Sequence, residues 1–173
     1  MQLDLSLGPM TIELPLILAA TEPLGSIYRS LNSYPHLVDP RIPGNPELAS
    51  DDDLAAAART ILDDVYAEEL AALRDLFELR FSHGRASTDV ATVARTATQG
   101  AVDTLLVDID DKLPGHVDED SGAVAFAEDD ADSYGVVDEI ARRVLLTGGR
   151  VLAVRASDIP GGGPLAAILR YAP

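Results

Sequence analysis

In Gly100-Ala101-Val102-Asp103-Thr104-Leu105-Leu106-Val107-Asp108, a helical spacing of apolar residues stops at a glycine and gives way to a nearly continuous apolar run. Leu105-Leu106-Val107 leaves no polar face, so the strand predicted over Val102–Ile109 is one covered on both sides, between helical layers. Upstream, Ser87 is a candidate N-cap for a helix from Thr88 to Gln99, with Gly100 as the left-handed residue that closes it. Downstream, Asp132 or Ser133 is expected to cap a helix reaching about Leu146, with Val136, Val137, Ile140, Val144 and Leu145 as its core stripe. Gly148-Gly149 ends that helix, and Arg150–Arg155 reads as another strand. After a glycine loop from Pro160 to Pro164, Leu165–Tyr171 reads as the last one. A short strand is also expected near Ala123–Ala127. The alternation predicts an α/β fold, three-layer α/β/α with a mixed central sheet.

The N-terminal part has a different texture. Leu3–Leu7 alternates apolar and polar residues as a half-buried strand does, and Thr11–Ala19 follows as a second strand after the turn at Gly8-Pro9. Pro15 confines that second strand to an edge or moves its start to Leu16. A short helix is predicted from about Glu22 to Asn32, with Leu24, Ile27, Tyr28 and Leu31 at helical spacing. Tyr34–Ser50 holds four prolines, Gly44 and Asn45, and reads as a long ordered loop or a linker. Ser50 suits an N-cap and Asp51, Asp52 and Asp53 suit the positive end of a helix dipole. No glycine or proline follows until Gly84, so one helix of about 30 residues is expected, on the order of 45 Å long.

Composition bounds the function. The 173 residues carry 29 acids against 13 bases, a formal charge of −16, with 47% apolar and 24% charged residues. That is a globular composition, long enough for a real core. The charge argues against direct nucleic-acid binding, which neutralises phosphates with clustered Lys and Arg. With no cysteine there is no disulfide, thiolate nucleophile or thiolate metal site. No apolar run is long enough for a membrane helix, and Met1–Leu7 has no basic n-region, so a cytoplasmic protein is expected.

Leu105-Leu106-Val107-Asp108-Ile109-Asp110 resembles the first motif of haloacid-dehalogenase-like phosphatases. That resemblance implies Asp108 as nucleophile and Asp110 as acid/base, with Mg²⁺ between them. Asp129-Asp130 imitates the distal acidic pair of that family, but only about 20 residues separate the two. The strand–helix units carrying the required Ser/Thr and Lys have no room there. Mg²⁺-dependent phosphoryl transfer is therefore kept only as the alternative function. From Asp108 to Asp132 the chain carries ten acids (Asp108, Asp110, Asp111, Asp118, Glu119, Asp120, Glu128, Asp129, Asp130 and Asp132) and one base, Lys112. This segment reads as a solvated, mobile acidic loop and as the best-motivated partner-binding element. It fails the calcium-loop pattern, because Ala123 stands at the sixth position counted from Asp118. His36, His83 and His116 are never at helical ligand spacing. Gly161 and Gly163 match a loose dinucleotide fingerprint but precede a strand-like run, not a helix. No catalytic residue, metal site or cofactor is assigned.

Arg95-Thr96-Ala97-Thr98-Gln99-Gly100-Ala101-Val102-Asp103-Thr104-Leu105-Leu106-Val107, followed by Gly148-Gly149-Arg150-Val151 and Gly163-Pro164-Leu165-Ala166-Ala167-Ile168-Leu169-Arg170-Tyr171, resembles the third domain of class-I peptide-chain release factors of archaea and eukaryotes and of Pelota. Tyr34-Pro35-His36-Leu37 and Gly44-Asn45-Pro46 are similar to the bacterial branch, the bacterial archaeo-eukaryotic release factor family. The resemblance implies a mixed-sheet domain related to the kink-turn-binding ribosomal-protein fold, with residues 37–173 as that domain. Residues 1–36 would then be the end of an upstream, middle-type domain. It implies a translation context, in ribosome rescue, stalling or hibernation, with the ribosome or a translational GTPase as protein partner. Two features depart from the relatives. The Gly-Gly-Gln tripeptide that promotes peptidyl-tRNA hydrolysis is missing, since Gln2 and Gln99 follow no glycine pair. The chain is acidic where kink-turn readers are basic. A non-catalytic protein-interaction role is therefore expected, with the oligomeric state left open.

Overall fold

The N-terminal unit, Met1–Glu68, is joined by short parallel pairings rather than by a full sheet. The computed structural model describes residues 14–127 and 135–172. Leu16 bridges Leu37, and β1 (Ala19–Ala20) pairs with β2 (Ile42–Pro43) in parallel. The strand expected over Thr11–Ala19 is thus reduced, in its described part, to a bridge and a two-residue ladder. Pro15 has no N–H to give, and Pro35, Pro40 and Pro43 deplete the facing segment of donors, so a longer ladder cannot form. The strand expected over Leu3–Leu7 lies outside the described residues. Arg29 ties this unit together, donating from Nη2 to the Val38 carbonyl at 3.1 Å and pairing with Asp39 at 3.2 Å. Arg41 meets Glu22 at 2.6 Å.

Helix α1 (Leu24–Leu31) lies where the spacing placed it, but Leu24, Ile27, Tyr28 and Leu31 are all exposed, Leu31 by 79%. Helix α2 (Asp51–Ser82) has 32 residues, in line with the uninterrupted sequence. Its start is a reciprocal cap: Ser50 Oγ accepts from the Asp53 amide at 3.2 Å while Ser50 N donates to Asp53 Oδ2 at 3.3 Å. Ser50 Oγ also donates to Asp53 Oδ2 at 2.7 Å, and that bond, then the one from Ser50 N, holds the Asp53 carboxyl below its usual range.

The second unit, Glu69–Pro173, contains the sheet. Its elements are β3 (Ala86–Ser87), α3 (Val90–Thr98), β4 (Val102–Asp108), β5 (Gly115–Val117), β6 (Val124–Phe126), α4 (Val136–Leu146), β7 (Arg150–Val154) and β8 (Leu165–Leu169). The strand order is β3-β8-β4-β7, with β7 parallel to β4 and β8 antiparallel to both β4 and β3, which makes the sheet mixed. Register places Leu105 beside Val151 and Ala167, and Leu106 beside Leu152 and Ala166. Alternation sends these neighbours to opposite faces. Leu105, Val107, Leu165, Ala167 and Leu169 pack with Val93 and Ala97 of α3 and with Ile140 and Val144 of α4. Leu106, Ala166 and Ile168 pack with Phe77, with Leu73 and Leu76 of α2 around them. Three runs read as strands from the sequence therefore lie in one sheet between helical layers, and Leu105 and Leu106 are fully buried.

Two local readings are corrected. The cap of α3 is Asp89, whose carboxylate accepts from the Thr92 amide at 2.8 Å. Ser87 instead pairs within β3, and its Oγ accepts from the Asp89 amide. The helix therefore starts two residues after the expected Thr88, because β3, too short to carry a period, claims Ala86 and Ser87. The expected caps of α4, Asp132 and Ser133, lie outside the described residues, and Gly135 holds the N-cap position with no side-chain bond. Gly100, at φ +68°, is the left-handed terminator of α3.

Candidate docking site

The acidic segment is not a plain loop. Between β4 and its tip the chain enters β5, which returns through β6 as a hairpin with Gly115 opposite Phe126, His116 opposite Ala125 and Val117 opposite Val124. The strand expected near Ala123–Ala127 is β6, and β5 corrects the acidic loop read over Asp108–Asp132. Gly115 and Val117 are buried while His116 between them is exposed. Gly115 must be glycine: a Cβ there would stand 2.5 Å from the Ala125 carbonyl oxygen and 2.8 Å from Val136 Cγ2.

The hairpin is pinned from below by Arg143. This side chain is 7% exposed and lies on the core face of α4, between Ile140 and Val144. It donates from Nη2 to the Val117 carbonyl at 3.0 Å, and from Nη1 to the Asp118 carbonyl at 2.9 Å and to Thr98 Oγ1 at 2.6 Å. Its Nε donates to Glu139 at 2.7 Å, and Arg142 grips the same carboxylate with two donors at 2.7 and 2.8 Å. The Arg142 bond, and then that of Arg143, hold the Glu139 carboxyl at about 2, against a desolvation that acts the other way. Four elements, α3, α4, β5 and the hairpin turn, thus meet at one guanidinium.

At the tip, Asp118 spends its carboxylate on the turn itself. Oδ1 accepts from Ser121 N at 2.8 Å and from Ser121 Oγ at 2.6 Å, which lowers its pKa, while Glu119 and Asp120 are exposed. At the other end of β5, Asp108 Oδ1 accepts from the Asp110 amide at 3.1 Å, and Asp110 and Asp111 are exposed. The described acids therefore form two groups, one before β5 and one after it. Glu128, Asp129, Asp130 and Asp132 lie outside the described residues.

The turn bond takes one oxygen of Asp108, and among the described residues no three His, Asp or Glu side chains gather to hold an ion. His36 packs edge-on against Tyr34, and His83 Nδ1 lies 2.7 Å from the Leu79 carbonyl oxygen. The open pocket of about 340 Å³ beside Arg143 is lined by Thr98, Glu119, Arg142, Leu146 and Thr147, and both of its guanidiniums are already bound to Glu139. The glycine loop leads through 3-10 turns at Ala156–Asp158 and Pro160–Gly162 into β8, so no dinucleotide loop opening a helix exists there. What the arrangement offers is a rigid acidic hairpin. The sequence reading missed Arg143 and Glu139. Their signal was available, because a charged residue three after Ile140 and seven after Val136 falls inside a core stripe and must be paired.

The fold is similar to that of archaeal Pelota. Ribosome-bound archaeal Pelota matches with a TM-score of 0.55 at 20% identity, over 90% of this chain and 44% of that one. The C-terminal domain of the peptide chain release factor from Methanosarcina mazei matches at 0.48 and 18%, over 73% of this chain and 98% of that one. Pelota of Archaeoglobus fulgidus matches at 0.47 and 19%, over 91% and 49%. The chain thus spans less than half the length of either Pelota. Residues 6–68 match the model of the bacterial archaeo-eukaryotic release factor family 11, so the family resemblance read from the sequence holds over that segment. No curated protein matches the chain in sequence. Among the described residues no helix is long and apolar enough to cross a membrane.

Proposed function

We propose that this chain is a non-catalytic protein-interaction module of a release-factor-like translation protein, acting in ribosome rescue, stalling or hibernation. Its partner in this reading is a basic protein surface of the ribosome or of a translational GTPase. The observation that carries it is the coincidence of two likenesses on one chain, the family match over 6–68 and the Pelota fold over 90% of the residues. In the same reading, residues 1–36 are the end of a middle-type domain and 37–173 the counterpart of the third domain. A net charge of −16 repels bare RNA and steers toward cationic protein. The hairpin tip with Glu119 and Asp120, held by Arg143, is the docking element, with Asp110 and Asp111 as the second acidic group.

The test sediments the full-length protein with ribosomes and a translational GTPase at several salt concentrations. Co-sedimentation that weakens with salt, and weakens again when Glu119→Gln and Asp120→Asn are combined, is the expected result. Absence of co-sedimentation under normal, stalled and starved conditions overturns the translation reading. Binding that ignores the neutralised tip removes the hairpin from it.

A further inference from the structure

The strands that follow α2, α3 and α4 all start at the end of the sheet where β8 finishes. Ala86 stands beside Ile168, Val102 beside Leu169, and Arg150 beside Thr104. Three arginines meet at that end. The Arg85 amide donates to the Arg80 carbonyl at 2.8 Å, and the Leu169 amide donates to the Arg85 carbonyl at 2.9 Å, with Arg170 the next residue. Arg85 Nη2 donates to the Arg170 carbonyl, and Arg170 spends its own Nη donors on backbone carbonyls. Arg80 is different. It follows Leu76 and Phe77 in the core stripe of α2, is half-buried, and its guanidinium makes no hydrogen bond or ion pair with a described residue. The Nε atoms of Arg80 and Arg85 are both buried without a partner among the described residues. Buried donors are ordinarily bonded, and those on charged groups are the costliest to leave unmet.

Local charge decides what meets them. Residues 79–87, 96–102, 145–152 and 165–173 hold Arg80, His83, Arg85, Arg150 and Arg170 and no Asp or Glu, in a chain of −16. Arg150 is taken by Glu69 at 2.5 Å. Glu78 stands two residues before Arg80, about 200° round the helix. Asp103, at the irregularity between β4 and β8, is exposed, accepts from Thr104 Oγ1 at 3.2 Å and pairs with no described base. The three helix C-termini each oppose about half a charge, which leaves roughly half the charge of the three guanidiniums. A water satisfies the Nε donors and leaves that charge; an oxyanion meets both. We propose that Arg80 and Arg85 bind a phosphate-type oxyanion at this end of the sheet, with Arg170 adding charge at the rim. Strand β4 sets the site on the order of 20 Å from Asp108 at ~3.3 Å per residue. The inference is independent of the translation reading.

The test titrates sodium phosphate into the full chain, with sodium chloride at matched ionic strength as reference. Arginine Nε–H signals are followed by NMR, together with thermal melting. Saturable shifts of the Arg80 and Arg85 signals at millimolar phosphate are expected, with a melting temperature that rises and then levels off. Affinity should fall at least about tenfold in Arg80→Gln. Arg80→Lys keeps the charge and loses the planar fork, so it should recover only part of the affinity. Arg59→Gln, on the exposed surface of α2, should leave the response unchanged. Phosphate also stabilises folded proteins through its exclusion from their surface, but that effect does not level off and is common to all variants. A steady rise shared by the parent and Arg80→Gln therefore overturns the proposal. So do Nε–H signals that phosphate leaves in place, because a water then serves those donors. If Arg80→Gln does not fold, the shifts in the parent chain decide the matter. The second probe is a short single-stranded oligonucleotide. If it moves the Arg80 signal where free phosphate does not, the site takes a nucleic-acid backbone and the small-ion proposal fails.

Discussion

Arg170 Nη2 donates to the Thr147 carbonyl at 3.1 Å, and Nη1 of the same guanidinium donates to the Gly100 carbonyl, also at 3.1 Å. One side chain just after β8 therefore closes the C-terminal ends of both α3 and α4, where carbonyls lack intrahelical partners and the dipoles are negative. Charge-assisted bonds of this kind contribute about 1–2 kcal/mol together when partly exposed. Arg170→Ala should lower stability by that amount in denaturant titration, and Arg170→Lys, which cannot reach both carbonyls as a fork, should recover only part of it.

Arg143→Met should be costlier. It strips the buried Val117 carbonyl, the Asp118 carbonyl and Glu139 of a donor at once, and breaking such a network costs about 3–5 kcal/mol. If the protein still folds, hydrogen exchange over residues 115–126 should accelerate more than over β4. Uniform acceleration would mean that Arg143 supports the whole unit rather than the hairpin.

Acid should act through Glu139. Its folded pKa of about 2 lies below the ordinary value of 4.5, so its stabilisation is complete above about pH 4.5 and is lost as pH falls from there toward 2. The full effect is about 2–3 kcal/mol. Glu139→Gln should flatten the stability profile in that window, measured by urea midpoints at a series of pH values, and leave the profile above pH 5 parallel to that of the parent.

Leu106→Ala should cost about 2–5 kcal/mol through the cavity it leaves beneath α2. The same change at exposed Leu31 should be nearly neutral, within about 0.5 kcal/mol. The pair of variants, compared by thermal melting, tests which apolar residues form the core.

Millimolar Mg²⁺ should leave the melting temperature unchanged, since Asp108 serves a turn and among the described residues no third ligand joins it. A ligand at 100 times its dissociation constant adds about 2.7 kcal/mol, so even modest affinity would be seen. A clear upward shift would reopen the phosphoryl-transfer reading.

The sheet was legible because its strands are long enough, or apolar enough, to show a period: Leu105-Leu106-Val107 and Leu165–Leu169 admit no other reading. Strands of two or three residues, such as β3 and β5, carry too few side chains for any period and owe their existence to partners distant in sequence. The tip acids were visible as composition, yet their order depends on Arg143, whose clue lay in the stripe of α4 rather than in the acidic segment. In α1 the helical period was real, but periodicity reports a face and not what covers it, and Leu24 and Leu31 stand in solvent. The resemblance lay in short apolar motifs at 95–107 and 148–171, whereas the family model matches 6–68.

The strand order places β8 between β3 and β4, so the element nearest the end of the chain is the one both neighbours require. Synthesis runs from the N-terminus, and β3 and β4 leave the ribosome with their facing edges unpaired. They stay so until Leu169 has cleared the exit tunnel. The second unit therefore cannot finish folding before Leu169 has emerged, and a nascent chain arrested anywhere before Leu165 carries an open apolar sheet that cannot close. Premature arrest thus produces a substrate for chaperones and proteases rather than a shortened working domain.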